Sequence, residues 1–241
     1  MLLFGPPGVG KGTQAQRLSA ALGVPAINAG EIFRDAMRSG TALGRHVARF
    51  MDSGEFVPDD VVLDVVERRL GHPDARHGYV LDGFPRTVPQ AESFRVRLRR
   101  QRVDRVVVLE VPPGELVARI AGRRTCLSCQ TSYHVVASRP QRDGRCDRCG
   151  DVLVRRPDDA EAPARRRLAD YATTTAPVLD FLRARGWPIC VLSGVGSADE
   201  VHRDIVAALG IRDHAWPVPT TCADAHPARG STDRRTAELV P

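Results

Sequence analysis

Gly5-Pro-Pro-Gly-Val-Gly-Lys-Gly-Thr13 reads as a cradle for phosphate. Glycines let backbone N–H groups turn inward and approach an anion closely. The lysine adds a compact, mobile charge that can follow a moving phosphoryl group, where a planar guanidinium is bulkier and stiffer. Of the 35 Lys and Arg residues in the chain, Lys11 is the one lysine. A sequence so biased toward arginine has kept a lysine at this one place. The flanks agree: residues 1–4 are a short apolar strand, and Thr13 opens a helical pattern. A glycine-rich turn that carries a lysine by chance needs no such flanks. The strict form G-x-x-x-x-G-K-[ST] is not met, because Gly12 follows Lys11 and the hydroxyl comes one residue later, at Thr13.

Outward from the loop, apolar runs at 1–4, 25–28, 79–82, 106–111 and 189–193 predict five buried parallel strands. Helical patterns fall between or after them, at 13–22, 30–38, 42–53, 59–70, 89–100, 114–122, 164–185 and 198–209. Strand–helix alternation predicts an α/β fold with a doubly wound five-stranded parallel sheet. Pro58 followed by Asp59 and Asp60 is a good helix start, since acids suit the positive end of the dipole.

Two stretches interrupt the alternation. Residues 29–57 place two short helices between a strand and a longer helix. Residues 123–157 are poor in large apolar residues and carry Cys126-x2-Cys129 and Cys146-x2-Cys149, with 16 residues between the pairs. Paired CxxC units at that separation predict a zinc site, and zinc is the natural staple for a segment without a core of its own. Disulfides are the other reading, and an expected cytoplasmic location argues against them. Cys190 lies in an apolar run and reads as core. Cys222 lies beyond Ile211, in a stretch rich in Pro, Ala, Asp and Arg that predicts a disordered tail at 212–241.

At 241 residues the chain can hold one sizeable core with insertions. No apolar run approaches the length of a membrane span, and no leader precedes the first strand. A cytoplasmic protein is expected. Either the start lies upstream of the short first strand or that strand is trimmed. The formal net charge of +6 suits anionic ligands. Aromatics make up 5% and are not interleaved with the basic clusters, so stacking platforms for single strands are not evident.

The motifs together resemble the adenylate kinases of the long-lid, zinc-bearing bacterial type, over residues 1–210. They are the phosphate loop with Gly after Lys11, Asn28-Ala-Gly-Glu-Ile-Phe-Arg34, Leu81-Asp-Gly-Phe-Pro-Arg86-Thr-Val-Pro-Gln90, Arg119-Ile-Ala-Gly-Arg123-Arg124, and Arg156-Pro-Asp158-Asp159 with Arg165-Arg-Arg167. The resemblance implies phosphoryl transfer from Mg-ATP to AMP, giving two ADP. It implies a core (1–28, 58–122 and 158–211), a monophosphate-binding segment (29–57) and a zinc-stapled lid over ATP (123–157). It implies catalytic roles for Lys11, Arg86, Arg123, Arg156, Arg167 and Asp82, with Asp82 holding Mg2+ through water. ATP would lie against Gly8, Val9, Gly10, Lys11, Gly12, Thr13, Arg119, Arg123, Tyr133 and His134. AMP would lie against Ala29, Arg34, Met51, Val57, Gly83, Arg86, Gln90, Arg156 and Arg167. Cys126, Cys129, Cys146 and Cys149 would hold a structural zinc. A monomer with no nucleic-acid or membrane partner is expected.

Bland readings stand beside these. Tyr133 and His134 also suit packing of the lid, and Asp158 and Asp159 suit pairing with lid arginines or capping of the next helix. Ala29 stands where the adenylate kinases usually have Thr, and this is more like the UMP/CMP kinases. Thr87 and Gln90 instead look like the adenine-reading form. Ala162-Pro163 replaces the usual Glu-Thr at the lid exit. AMP is the expected acceptor, with UMP/CMP as the alternative; a basic zinc-ribbon nucleic-acid-binding ATPase is the alternative from another class.

Overall fold

A computed structural model describes residues 1–97 and 103–211. The expected tail at 212–241 and the end of the helix expected at 89–100 lie outside these residues. Five parallel strands form one sheet: β1 (Leu2–Phe4), β2 (Ala26–Asn28), β3 (Val80–Asp82), β4 (Val106–Glu110) and β8 (Ile189–Ser193). Their order is β2-β3-β1-β4-β8, with β1 in the middle. Register pairs Leu2 with Leu81 on one side and with Val106 on the other.

The strands are apolar on both faces because helices cover both. Leu2, Phe4, Leu81, Val106 and Val108 join one core, with Phe33, Val47, Phe84 and Phe94. Met1, Leu3, Val80, Val107 and Leu109 join the other, with Leu18, Leu116 and Ile205. This strict alternation is the two-residue period of a strand.

Three helices have the expected bounds: α3 (Ala42–Ser53), α4 (Asp59–Leu70) and α9 (Ala198–Leu209). Helix α4 carries Asp59 and Asp60 in its first turn and Arg68 and Arg69 in its last, which matches its dipole at both ends. Helices α1 (Lys11–Leu22), α2 (Ala29–Arg38), α5 (Val88–Arg97) and α6 (Pro113–Ala121) each differ from expectation by one or two residues at an end within the described residues.

The helix expected at 164–185 begins earlier and is not uniform. It runs as α7 (Glu161–Asp170), a π-helical stretch at Tyr171–Thr175, and α8 (Ala176–Arg183). Pro177 has no N–H to donate to the carbonyl four residues back, so the regular ladder cannot pass it unbroken.

The cysteine-bearing segment contains strands that the sequence reading did not identify. β5 (Arg123–Cys126) pairs antiparallel with β6 (Ser132–His134) and with β7 (Leu153–Val154). Cys126, Tyr133, Cys146 and Leu153 form a separate small core there. Among the described residues, no helix is long and apolar enough to cross a membrane.

Candidate active site

The loop between β1 and α1 is shaped by glycines that other residues could not replace. Gly5, Gly8 and Gly10 have φ of 140°, 84° and 102°. A Cβ at Gly5 would lie 2.5 Å from the Leu109 carbonyl oxygen, and one at Gly8 would lie 2.8 Å from Ile120. Helix α1 begins at Lys11 with no side-chain cap and no acid in its first turn. Its free N–H groups and positive dipole end are suited to an anion. Thr13 lies in that first turn, and Val9 packs into the core below the loop. Lys11 Nζ donates to the carbonyls of Gly5 and Pro6 at 2.7 and 3.0 Å.

Strand β3 ends beside this loop at Asp82, which is 4% exposed. Asn28 Nδ2 donates to Asp82 Oδ2 at 2.7 Å, while Oδ1 has no hydrogen-bond partner. A Cβ on Gly12 would approach Asp82 Oδ2 to 3.6 Å, so the carboxylate faces the start of α1.

Arg34, Arg86 and Arg167 line the same cleft, and Arg123 and Arg156 lie close enough to act on their charges, so that three segments contribute. Arg34 comes from α2, and its buried Nε lacks a partner. Arg86 follows β3 and donates from Nε to the Gly83 carbonyl at 2.7 Å. Arg123 begins β5 and binds Asp159 through Nε at 2.8 Å and through Nη2. Arg156 pairs with Glu31 at 3.6 Å. Arg167, from α7, pairs with Asp158 at 2.9 Å and Asp159 at 3.5 Å.

The electrostatics report a crowd of cations. Burial, then repulsion from Arg34 and Arg123, pushes Arg156 down to about 10 despite Glu31 and Asp158. Burial also lowers Arg86, and Arg167 adds to the effect. Burial lowers Arg34, although Asp158 and Glu31 oppose it. Burial acts against the charged form of Asp158 too, but Arg167, Arg34, Arg123 and Arg156 outweigh it and hold its carboxyl below the usual range. Such a site favours an incoming polyanion.

Between β1, α2 and α5 the cleft has an apolar recess lined by Ala29, Phe33, Met51, Val57 and Val62, with the side chain of Gln90. Gly83 and Arg86 line the cleft as well. Gln90 is 1% exposed, and its amide is held by Asp59 and by the Arg86 N–H. Asp170, Tyr171 and Thr175 also line the cleft, from the end of α7 and the π-helical stretch. Their sequence carries no motif.

The remaining candidates fall on the other side of the loop. Arg119 donates to the Gly194 carbonyl at 2.9 Å, just after β8, and pairs with Glu115. Tyr133 lies inside the lid. It is 9% exposed, and its hydroxyl accepts from the Asp147 N–H at 2.8 Å. Packing within the lid is therefore the role this structure gives its ring. His134 Nδ1 accepts from the N–H groups of Val136 and Ala137, both at 3.1 Å, and its ring occupies the space a Cβ on Gly122 would need. Asp158 and Asp159 pair with arginines, as their bland reading held.

The ligand atoms of Cys126, Cys129, Cys146 and Cys149 all lie within 4.8 Å of one another. None of the four is in a disulfide. Sulfur–sulfur separations of 3.3, 3.4 and 3.5 Å compare with about 3.8 Å for the edge of a zinc–thiolate tetrahedron. Burial raises Cys146, but hydrogen bonds from Tyr133 and from the N–H groups of Cys149 and Arg148 bring it down to about 6. Cys149 goes the other way, to about 12, because the neighbouring sulfurs outweigh the N–H of Asp151. Four adjacent thiols cannot all ionise without a cation between them, so the donor set fits zinc.

A glycine-shaped phosphate loop with its lysine, opposed by arginines from three segments, defines a nucleotide-dependent phosphotransferase of the P-loop class. Comparison with known proteins narrows this. The adenylate kinase family profile matches residues 3–187. An adenylate kinase of Syntrophobacter fumaroxidans is 45% identical over 212 residues, covering 87% of this chain and 99% of the relative. One from Trichlorobacter lovleyi is 46% identical over 211 residues, covering 87% and 98%. One from Methanocella arvoryzae is 45% identical over 210 residues, covering 86% and 97%. The chain belongs to the adenylate kinase family, and it is an enzyme of that kind.

Proposed function

We propose that the protein moves the γ-phosphoryl group of Mg-ATP to AMP and so makes two ADP. One observation carries this reading. Lys11, Arg34, Arg86 and Arg167 line a single cleft, with an apolar recess that includes Gln90, and Arg123 and Arg156 lie close enough to act on their charges. Phosphoryl transfer needs alignment, charge neutralisation and exclusion of water more than covalent help.

The α1 N-terminus and Lys11 hold the β- and γ-phosphates of ATP. Arg34 and Arg86 grip the AMP phosphate by forked hydrogen bonds. Arg123, Arg156 and Arg167 exchange their carboxylate partners for the transferring group. AMP brings an anionic phosphate oxygen as nucleophile, so no protein base is required. The unpartnered, buried Oδ1 of Asp82 fits Mg2+ held through water; when bound, the ion neutralises phosphate charge. Segment 29–57 closes over AMP and segment 123–157 over ATP, which keeps water from becoming the acceptor. Four sulfurs leave zinc no open position, so its role is structural. The enzyme works as a cytoplasmic monomer.

Ala29 favours one competing acceptor class, the pyrimidine monophosphates. Gln90 supports AMP, since an amide can pair with the edge of adenine. The nucleic-acid alternative loses its lid aromatic, because Tyr133 is packed against Cys146. The test is product formation from Mg-ATP with AMP, UMP, CMP and GMP as separate acceptors, followed by the reverse reaction from ADP alone. Fast turnover confined to AMP, with ATP and AMP formed from ADP, is expected. Equal or faster turnover with UMP or CMP would reassign the acceptor.

A further inference from the structure

Gln90 is held at both ends of its amide. Its Oε1 accepts from the Arg86 N–H at 2.7 Å, and its Nε2 donates to Asp59 Oδ1 at 2.6 Å. The two partners have fixed and opposite characters: a backbone N–H can only donate, and a carboxylate can only accept. Turning the amide over would set oxygen against oxygen at one end and N–H against N–H at the other.

The carboxylate is itself held. Thr87 Oγ1 donates to Asp59 Oδ2 at 2.8 Å and accepts from the Gln90 N–H at 3.1 Å. Asp59 opens α4, while Gln90 lies in the first turn of α5 and Thr87 just precedes that helix. The amide is thus clamped between two helices.

We infer that Asp59 is a specificity-determining positioning residue: by fixing which way the Gln90 amide faces, it selects a 6-amino purine over a 6-oxo purine in the acceptor. After its two internal bonds, the amide has one N–H and one oxygen lone pair left. Adenine offers a donor (N6–H) beside an acceptor (N1). A 6-oxo purine offers the reverse, an acceptor (O6) beside a donor (N1–H). An amide that can turn over can serve either edge; one that is clamped serves one. The inference rests on AMP being the acceptor. Asp59 is not among the residues that line the cleft, whereas Gln90 is, so it acts through Gln90.

The experiment is a double-mutant cycle with AMP and IMP as acceptors, using Asp59→Asn, Gln90→Leu and the double variant. Asn matches Asp in shape but can offer either polarity to Gln90. Asp59→Asn is expected to lower the AMP-to-IMP ratio of kcat/KM by about tenfold. The loss should lie in KM for AMP with kcat kept, the pattern of lost binding common to ground and transition states. KM for ATP should not move. In the Gln90→Leu background, Asp59→Asn should cost nothing further, because its route to the base is gone.

Equal losses with AMP and IMP, or additive losses in the cycle, would reduce Asp59 to a structural role and overturn the inference alone. A wild-type enzyme with no preference for AMP would overturn the acceptor reading and the inference with it. If Asp59→Asn does not accumulate as folded protein, Asp59→Glu is put through the same cycle. It keeps the charge and displaces the acceptor, and the same outcomes decide.

Discussion

Lys11 turns its ammonium back onto its own loop, 2.7 Å from the Gly5 carbonyl. Burial lowers the Lys11 pKa, Asp82 pulls against this, and Arg86, Arg167 and Arg123 lower it further, to about 8. The unfolded chain keeps this proton to near 10.5. Between those values the unfolded state binds more protons, so the Lys11 contribution to stability rises with pH across that window. Phosphate binding runs the other way, because it needs the ammonium. Affinity for an ATP analogue, measured calorimetrically, is expected to fall as pH rises through about 8. Flat affinity there would show that Lys11 is not the group being titrated. Lys11→Ala is expected to keep the fold, abolish this pH dependence and cut turnover by about a hundredfold or more.

Asp159 is fully buried and binds both Arg123 and Arg167. Removing one partner of a buried pair leaves the other charge uncompensated, at about 3–5 kcal/mol. Asp159→Ala is expected to lose stability of that order in urea unfolding. Added ATP should restore part of it, since phosphate can replace the carboxylate against the arginines. A variant as stable as wild type would mean that Asp159 does not anchor the arginine cluster.

Elemental analysis of freshly purified protein is expected to find one zinc per chain. The small lid core has Cys126, Tyr133, Cys146 and Leu153 and little else. Chelation should therefore loosen the lid and leave the five-stranded sheet intact. Trypsin is the probe, because arginines run through residues 123–156. Cleavage confined to that stretch after chelation is expected; unchanged proteolysis would remove zinc as the staple.

Gly44 lets α3 pack directly on the backbone of α2. A Cβ there would fall 2.1 Å from the Ala36 carbonyl oxygen. Gly44→Ala must push the two helices apart, and overpacking of this kind costs about 1–3 kcal/mol. Because α2 carries Arg34, KM for AMP should rise while KM for ATP stays put. A change in ATP kinetics of equal size would show that the damage is not local to segment 29–57.

Much of this architecture is legible in the chain. The apolar runs and helix signals located all five parallel strands because burial on both faces leaves unbroken apolar segments. The exact bounds of α3, α4 and α9 follow from local signals: Thr41 caps the first, Asp59 and Asp60 open the second, and Ser197 with Glu200 forms a capping box on the third. The lid strands were not legible. They are two to four residues long and show no period, because four cysteines rather than an apolar face organise them. The π-helical stretch was missed for a related reason. Pro177 announces a broken ladder, but its sequence position does not say how the backbone absorbs the break.

The loop, its lysine and the paired CxxC units state their chemistry locally, since each needs only residues close together in the chain. Which carboxylate meets which arginine does not follow from local order. Neither does the direction in which an amide faces. Gln90 and Asp59 are 31 positions apart. Their hydrogen bond exists because α4 and α5 pack side by side, and its polarity is fixed by groups that touch only in the folded chain.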